Sequence, residues 1–281
     1  MHILYARRKM QINRVLGYFY TKVFIAIIPG RTYSNIAVIH VKGSSILKHY
    51  TRKFEGIEFN TAMQLFVNEA AQLSPLAYTA LLSDASDQGA IATCSKQQAS
   101  QFMDVMLTES ICLEERWMMY LSRDTLYQLQ ERYRTVGLDF VFSPFALIKQ
   151  FYSKPIAEEL ALFILNEESS IALAVFDHNE FHFADYTLMD QRFSVSEKGV
   201  NVENDAPLRY ESIEKMLDTY YNDVRIKSSF IEKIYLADAH LSSSSLASLL
   251  EEGLFTNLER NRVDVAFETA RLAAREVGYA V

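Results

Sequence analysis

The sequence predicts a mixed α/β protein made of two similar halves. Three observations carry that expectation. Phe24–Tyr50 (FIAIIPGRTYSNIAVIHVKGSSILKHY) and Leu160–Tyr186 (LALFILNEESSIALAVFDHNEFHFADY) follow one plan 136 positions apart: an apolar strand, a short Ser-bearing turn, a second apolar strand, a polar turn and a third strand. Beyond each meander, apolar runs of strand length alternate with segments of helical periodicity. Finally, 281 residues with 49% hydrophobic and 22% charged content are enough for two modest cores.

Taken in order, Ile12, Val15, Leu16 and Phe19 fall at helical spacing and predict a short amphipathic helix within residues 1–21. In the two meanders, Lys42-Gly43-Ser44 and His178-Asn179-Glu180 suit tight hairpins. Asn60 is placed to cap a helix reaching about Leu73, with Met63, Phe66, Val67 and Ala70 on one face and Pro75 as its stop. Ala77–Leu82 reads as a buried strand, residues 83–87 as a polar turn, and Lys96–Leu107 as a helix. Glu115–Leu121 is the next strand. Ser122 or Asp124 then caps a helix to about Val136, where Gly137 suits a left-handed end. Phe140–Phe142 is a strand, and Ser143-Pro144 opens a helix ending near Tyr152. The halves should divide near Lys154-Pro155.

In the second half, Asp190–Pro207 is polar and reads as an exposed excursion. Tyr210–Lys227 is a long helix, Ile231–Ala237 a strand, Ser243–Glu252 a helix closed by Gly253, and Val265–Val277 a last helix.

Composition narrows the function. Nine glycines in 281 residues fall below the usual ~7%, and loops that cradle phosphate normally need glycine for close backbone approach. Cys94 and Cys112 are too few and too oddly spaced for a disulfide framework or a zinc site, so both are expected reduced, as in a cytosolic protein. No apolar run reaches the ~18–20 residues of a membrane span, and the start of the chain lacks the features of a signal peptide. The P-loop, nucleophile-elbow, HExxH and CxxC motifs are all missing from the sequence. Charge is uneven. Residues 1–54 hold ten Lys/Arg and no Asp or Glu, so a net charge of −7 overall leaves −17 for the remainder.

At three places the order of elements resembles the actin-like (ASKHA) family of PilM and GspL cytoplasmic domains, found in type IV pilus and type II secretion assembly platforms. Met118–Tyr152 has the strand, the helix ending in Gly137-Leu138, the strand and the following helix that close that family's first domain. Leu160–Phe183 resembles its second meander. Ile231–Glu259 (IEKIYLADAHLSSSSLASLLEEGLFTNLE), followed by FETARLAAREVG, is similar to its closing strand and helices. The order and spacing of these segments, over nearly the whole chain, carry the resemblance. It implies two actin-like (ribonuclease H-like) domains with mixed sheets: a basic arm 1–22, a first domain 23–154 with a small inserted subdomain at about 76–141, and a second domain 155–281.

Nucleotide-binding members of such folds carry Asp-x-Gly in both phosphate turns, the acid holding magnesium and the backbone N–H groups holding phosphate. The matching turns depart from this. The first is Ile28-Pro29-Gly30-Arg31-Thr32-Tyr33-Ser34, without the acid and with a proline that removes an N–H. The second is Asn166-Glu167-Glu168-Ser169-Ser170, and the adenosine loop is Ala237-Asp238-Ala239-His240 in place of paired glycines. Gly30, Arg31, Thr32, Ser34, Ser169, Ser170 and Asp238 are therefore expected to line a degenerate nucleotide cleft, without catalytic residues, metal or cofactor. Arg31 is the one residue there that could attract an anion through its fork.

The resemblance implies a non-catalytic cytoplasmic scaffold, peripheral to the inner membrane, that binds the cytosolic tail of a bitopic assembly protein. A pilus or secretion ATPase is a further expected partner. The alternative is an ATP- and magnesium-using ATPase or small-molecule kinase with unorthodox loops. Arg7, Arg8, Lys9, Arg14 and Lys22 form a basic block suited to anionic lipid or an acidic partner. Nothing in the sequence resembles a nucleic-acid-binding motif.

Other groupings have plainer readings. His178 and His182 should lie too far apart along a strand to share a metal. The Glu167-Glu168 pair and Asp84 with Asp87 are more simply solvated turns than metal ligands or a hydrolytic site, and Ser242–Ser245 suits a helix cap.

Overall fold

The computed structural model describes residues 20–56, 58–189, 205–240, 244–254 and 256–281. The expected helix within 1–21, most of the 190–207 excursion, and Arg7, Arg8, Lys9 and Arg14 lie outside the described residues.

The run KVFIAII forms β1 (Lys22–Ile28), buried along its length. Strand β2 (Tyr33–Lys42) returns against it, and a Gly43-Ser44 turn leads into β3 (Ser45–Glu55). Helix α1 (Thr61–Gln72) begins at Asn60, whose Oδ1 accepts the Met63 N–H at 3.1 Å. Then come β4 (Ala77–Leu82), β5 (Gln88–Ile91), α2 (Lys96–Ala99), β6 (Thr108–Leu113), β7 (Trp117–Ser122), α3 (Arg123–Arg132), β8 (Phe140–Phe142), α4 (Pro144–Phe151) and α5 (Ser153–Glu158). Gly137 follows α3 with φ 71°, and its N–H donates to the Tyr133 carbonyl, as expected of a helix end.

The second half runs β9 (Ala161–Asn166), β10 (Ser170–Asp177), β11 (Glu180–Leu188), α6 (Ala206–Asn222), β12 (Lys233–Asp238), α7 (Ser244–Leu254), β13 (Asn257–Arg262) and α8 (Val265–Glu276). Between β10 and β11, His178 and Asn179 have φ of 45° and 67°, the paired left-handed residues of a type I′ hairpin. His178 is thus a hairpin residue, and His182 donates from Nδ1 to the Lys227 carbonyl at 3.2 Å. Among the described residues no group of His, Cys, Asp and Glu is placed to hold a metal.

The sequence repeat is a repeat of topology. One sheet has the order β3-β2-β1-β4-β8 and the other β11-β10-β9-β12-β13. In each, the three meander strands are antiparallel and the next two are parallel to the first. The chain divides into two compact units, residues 1–85, 122–147 and 264–281 in the first, 86–121 and 148–263 in the second.

This division differs from the expected boundaries, and the two halves part between Leu147 and Ile148 rather than near Lys154-Pro155. The insertion is shorter than 76–141, because β4 and β8 are strands of the first sheet. What is inserted, residues 86–121, carries a third sheet, β5-β7-β6, and joins the second unit. The reason is Trp117, which is fully buried. Its ring stacks on Phe181 with centroids 4.6 Å apart and meets Phe176 edge-on at 5.7 Å. Helix α8 likewise packs against the first sheet, not the second, through the buried face Ala266, Ala270, Ala273 and Ala274.

Three further expectations are corrected. The helix over 96–107 stops at Ala99, since Ser100 Oγ donates to the Gln97 carbonyl and Asp104 takes the Met106 N–H, local bonds that compete with a continuing helix. Gly253 lies within α7 rather than closing it. A Cβ there would meet the Tyr210 hydroxyl at 2.1 Å, so a larger residue would require the Tyr210 ring to move aside. Cys94 and Cys112 are not separate thiols but a disulfide with Cα atoms 5.4 Å apart.

Apart from Trp117, the small sheet's own buried cluster is no more than Ile91, Ala99 and Met118. With an 18-residue separation, opening the bond should cost about 3 kcal/mol of local stability. Amide exchange across residues 88–121 should therefore quicken on reduction while the first sheet stays unchanged. Equal exchange in both redox states would contradict this.

Lys22, expected to face a membrane or an acidic partner, is instead the first residue of β1. It is 3% exposed, with Nζ 4.3 Å from the centre of the Tyr279 ring. Buried at the head of an apolar strand with its ammonium over an aromatic ring, its charge is spent inside the first unit.

Candidate functional site

Each unit has its own strand-turn-strand at the place where the resemblance puts a phosphate turn. In the first unit the turn joins β1 to β2. Pro29 is buried, Gly30 and Arg31 are half-buried and Thr32 is exposed. Ser34 is buried and its Oγ donates to the Gly56 carbonyl, while the Gly56 N–H donates to the Thr32 carbonyl at 3.0 Å. Those two bonds tie the end of β3 to the turn. The expected Ser34 hydroxyl therefore closes the sheet and does not point at a ligand.

Strand β4 is parallel to β1, with Ile27 opposite Leu81, so its following residues sit at the same end of the sheet as the turn. Asp84 is one of them. Burial raises its carboxyl above the ordinary value, opposed by its own backbone N–H and by the charge of Arg132. Tyr133 nearby is pushed up to about 12, mainly by burial. The sequence offered Asp84 as a solvated acid; the fold makes it a largely desolvated one.

The second unit's turn joins β9 to β10 and is shaped by a residue the sequence reading passed over. Arg209, in the first turns of α6, is 1% exposed. Its Nη1 donates to Asn166 Oδ1 at 2.6 Å and to the Glu167 carbonyl at 2.7 Å, and its Nη2 to the Glu168 carbonyl at 2.9 Å. Its Nε donates to Asp205 Oδ2 at 2.8 Å. The guanidinium fork thus occupies the carbonyl side of the turn. The Glu167 N–H is used as well, donating to the Ser170 carbonyl at 3.0 Å.

Asp238, at the end of β12, completes the network. Its Oδ1 accepts from Asn166 Nδ2 at 3.1 Å and from the His240 N–H, and its Oδ2 accepts from Arg260 Nε at 2.8 Å. His240 Nε2 lies 3.5 Å from Asp205 Oδ2. Burial alone would raise the Asp205 carboxyl; the nearby His240 ring and the charge and hydrogen bond of Arg209 outweigh it and hold the group below its ordinary value. Asp205 precedes α6 without capping it, because its carboxylate is already committed to these two partners.

Of the seven residues expected to line an altered pocket, Ser169, Ser170 and Asp238 are buried around this network, and Gly30, Arg31, Thr32 and Ser34 lie at the first unit's turn. Asn166, Asp205, Arg209 and Arg260 were missed. A usable signal existed: an Asp and an Arg four apart, opening a helix, can ion-pair along it.

Of the comparisons with known proteins, the one with solved structures bears on the fold. Two family models match, a domain of unknown function (DUF8569) over residues 19–149 and another (DUF8341) over residues 196–278. No curated protein matches the chain. Among solved structures, a chain of a PilM–PilN type IV pilus biogenesis complex is similar at TM-score 0.57 and 15% identity, covering 91% of this chain and 98% of that one. A protein with actin-like ATPase fold and unknown function from Bacteroides thetaiotaomicron reaches 0.51 at 11%, covering 90% and 96%. The ethanolamine utilization protein EutJ from Carboxydothermus hydrogenoformans reaches 0.51 at 7%, covering 96% and 99%. At such identities the likeness concerns architecture alone. The chain has the actin-like fold, with two domains of one topology.

Proposed function

We propose that this protein is a non-catalytic scaffold of a type IV pilus or type II secretion-like assembly platform, using the actin-like fold to hold partners instead of nucleotide. The observation that carries the reading is Arg209 in the second unit's turn. An incoming phosphate would meet the Glu167 and Glu168 carbonyls and would have to displace the buried guanidinium that bonds them, Asn166 and Asp205. Pro29 in the first unit's turn works in the same direction by lacking an N–H.

The likeness to a chain of a PilM–PilN complex supports a partner of a related kind, the cytosolic tail of a bitopic inner-membrane protein. A pilus or secretion ATPase fits as a second partner. No described helix is long and apolar enough to cross a membrane. In this reading the protein is cytoplasmic and peripheral to the inner membrane, with Arg7, Arg8, Lys9 and Arg14 drawn to anionic lipid at about 1 kcal/mol each before ordering costs. A reducing cytoplasm would then hold the Cys94–Cys112 pair open until oxidation.

Two experiments test the proposal. The neighbouring reading frames should encode a bitopic protein whose cytosolic tail binds the purified chain, and a metabolic operon with no such protein would overturn the reading. In liposome co-sedimentation with anionic lipid, the full chain should sediment more than a chain beginning at Thr21, and the difference should vanish near 1 M salt. Equal sedimentation would remove the membrane role of the arm.

The second reading, an ATPase or small-molecule kinase, draws on Asp84. A carboxyl raised by burial beside the first unit's turn has the property of a general acid or base. Asp84→Asn would then abolish turnover of magnesium-ATP, whereas the scaffold reading expects no turnover to lose.

A further inference from the structure

Strand β3 is the outermost strand of the first sheet and is 11 residues long, so its far edge pairs with no described strand. Which backbone groups face outward follows from the register. The Gly56 N–H bonds the Thr32 carbonyl and Tyr33 lies opposite Glu55, so the hydrogen-bonded pairs are Ser34–Phe54, Ile36–Arg52, Val38–Tyr50 and His40–Lys48. The N–H and C=O groups of the intervening residues, His49, Thr51 and Lys53, point away from β2.

The side chains around this edge are strongly one-sided in charge. Lys48, His49, Arg52 and Lys53 are all exposed, and Glu55 is the one acid on the strand. Among the described residues none of Lys48, Arg52 and Lys53 has a carboxylate partner. Their cationic ends lie over rings instead, Lys48 over Tyr50, Arg52 over Phe54 and Phe66, and Lys53 3.5 Å from the centre of Tyr33. Asp264, which accepts from Thr51 Oγ1, is committed to capping α8 through the Phe267 N–H. Leu47 adds an apolar side chain, 59% exposed, near one end.

We infer that the β3 edge is a docking site for an extended acidic segment of another polypeptide, which adds to the sheet as a sixth strand. The backbone groups of His49, Thr51 and Lys53 supply the ladder, and the cations at 48, 52 and 53 select acidic side chains on the incoming strand. A second copy of β3 is a poor occupant, because its own lysines and arginine would face these. The site stands apart from the phosphate turns and holds whether or not the protein serves a pilus or secretion platform.

Amide exchange of the full chain tests this, with a blocked ten-residue peptide alternating threonine and glutamate as the probe and its lysine counterpart as the control. Without peptide, the amides of His49, Thr51 and Lys53 should exchange much faster than those of Tyr50 and Arg52, which bond β2. The glutamate peptide should slow the three outward amides at least tenfold, and the lysine peptide should not. Raising salt from 0.1 to 1 M should reverse the slowing as the screening length falls from about 10 to about 3 Å. A variant carrying Arg52→Glu and Lys53→Glu should prefer the lysine peptide while Tyr50 stays protected, which shows the sheet intact. Slow exchange of the three amides before any peptide is added would mean the edge is already covered and would overturn the inference. Equal slowing by both peptides, or none by either, would also overturn it and leave the cations as a guard against edge pairing.

Discussion

Arg209→Met should lower the stability of the second unit by about 3–5 kcal/mol, the cost of removing one partner of a buried ion pair and stranding the others. Methionine matches the stem but supplies none of the four hydrogen bonds to Asp205, Asn166, Glu167 and Glu168. Arg209→Lys should fall between, since an ammonium restores charge without the fork.

The effect should also depend on pH. Asp205 is held below its ordinary value of 3.8 in the folded chain. Its contribution is therefore fully present above that value and lost as pH falls through the lower folded one. The wild-type unit should shed this stability only below about pH 4, and Arg209→Met should weaken that acid dependence while His240 retains part of it. Urea unfolding followed by tryptophan emission measures both, because the single Trp117 belongs to the same unit. An Arg209→Met midpoint within error of wild type would show that the network adds nothing.

Trp117→Ala should cost a similar 3–5 kcal/mol, the usual range for deleting a buried tryptophan. The lost ring is fully buried, stacked on Phe181 and set edge-on to Phe176, with the Lys149 ammonium 5.8 Å from its centre. Lys149 also pairs with Glu114 at 2.7 Å, so the inserted sheet would keep that ion pair and the disulfide. Residues 86–121 should consequently keep their internal pairing but exchange their amides faster and yield first to protease. Unchanged protease resistance would mean that contacts of β5 with β11, rather than Trp117, fasten the insertion.

How much of this was legible in the sequence differs by element. The two meanders were, because their inner strands, buried on both faces, read as unbroken apolar runs and the hairpin residues announce themselves. The Asn60 cap and the Gly137 helix end were legible for the same local reason. Strands β6 and β13 were not: TESICL and NLERNR carry too few apolar residues to signal burial, and their pairing comes from neighbours distant in sequence. The Cys94–Cys112 bond was misread because spacing alone does not reveal that two strands bring the residues together. The loss of acid and glycine from the phosphate turns was plain in the chain. What replaced them, an arginine 41–43 residues downstream, could be found only once the start of α6 was placed at the turn between β9 and β10.

Equilibrium binding of magnesium-ATP to the full chain, followed by a test for turnover, addresses the central claim most directly. No saturable binding below millimolar concentration and no hydrolysis are expected, for wild type and for Asp84→Asn alike. Micromolar affinity with turnover that Asp84→Asn abolishes would contradict the claim and make this actin-like protein an enzyme with an unusual phosphate turn.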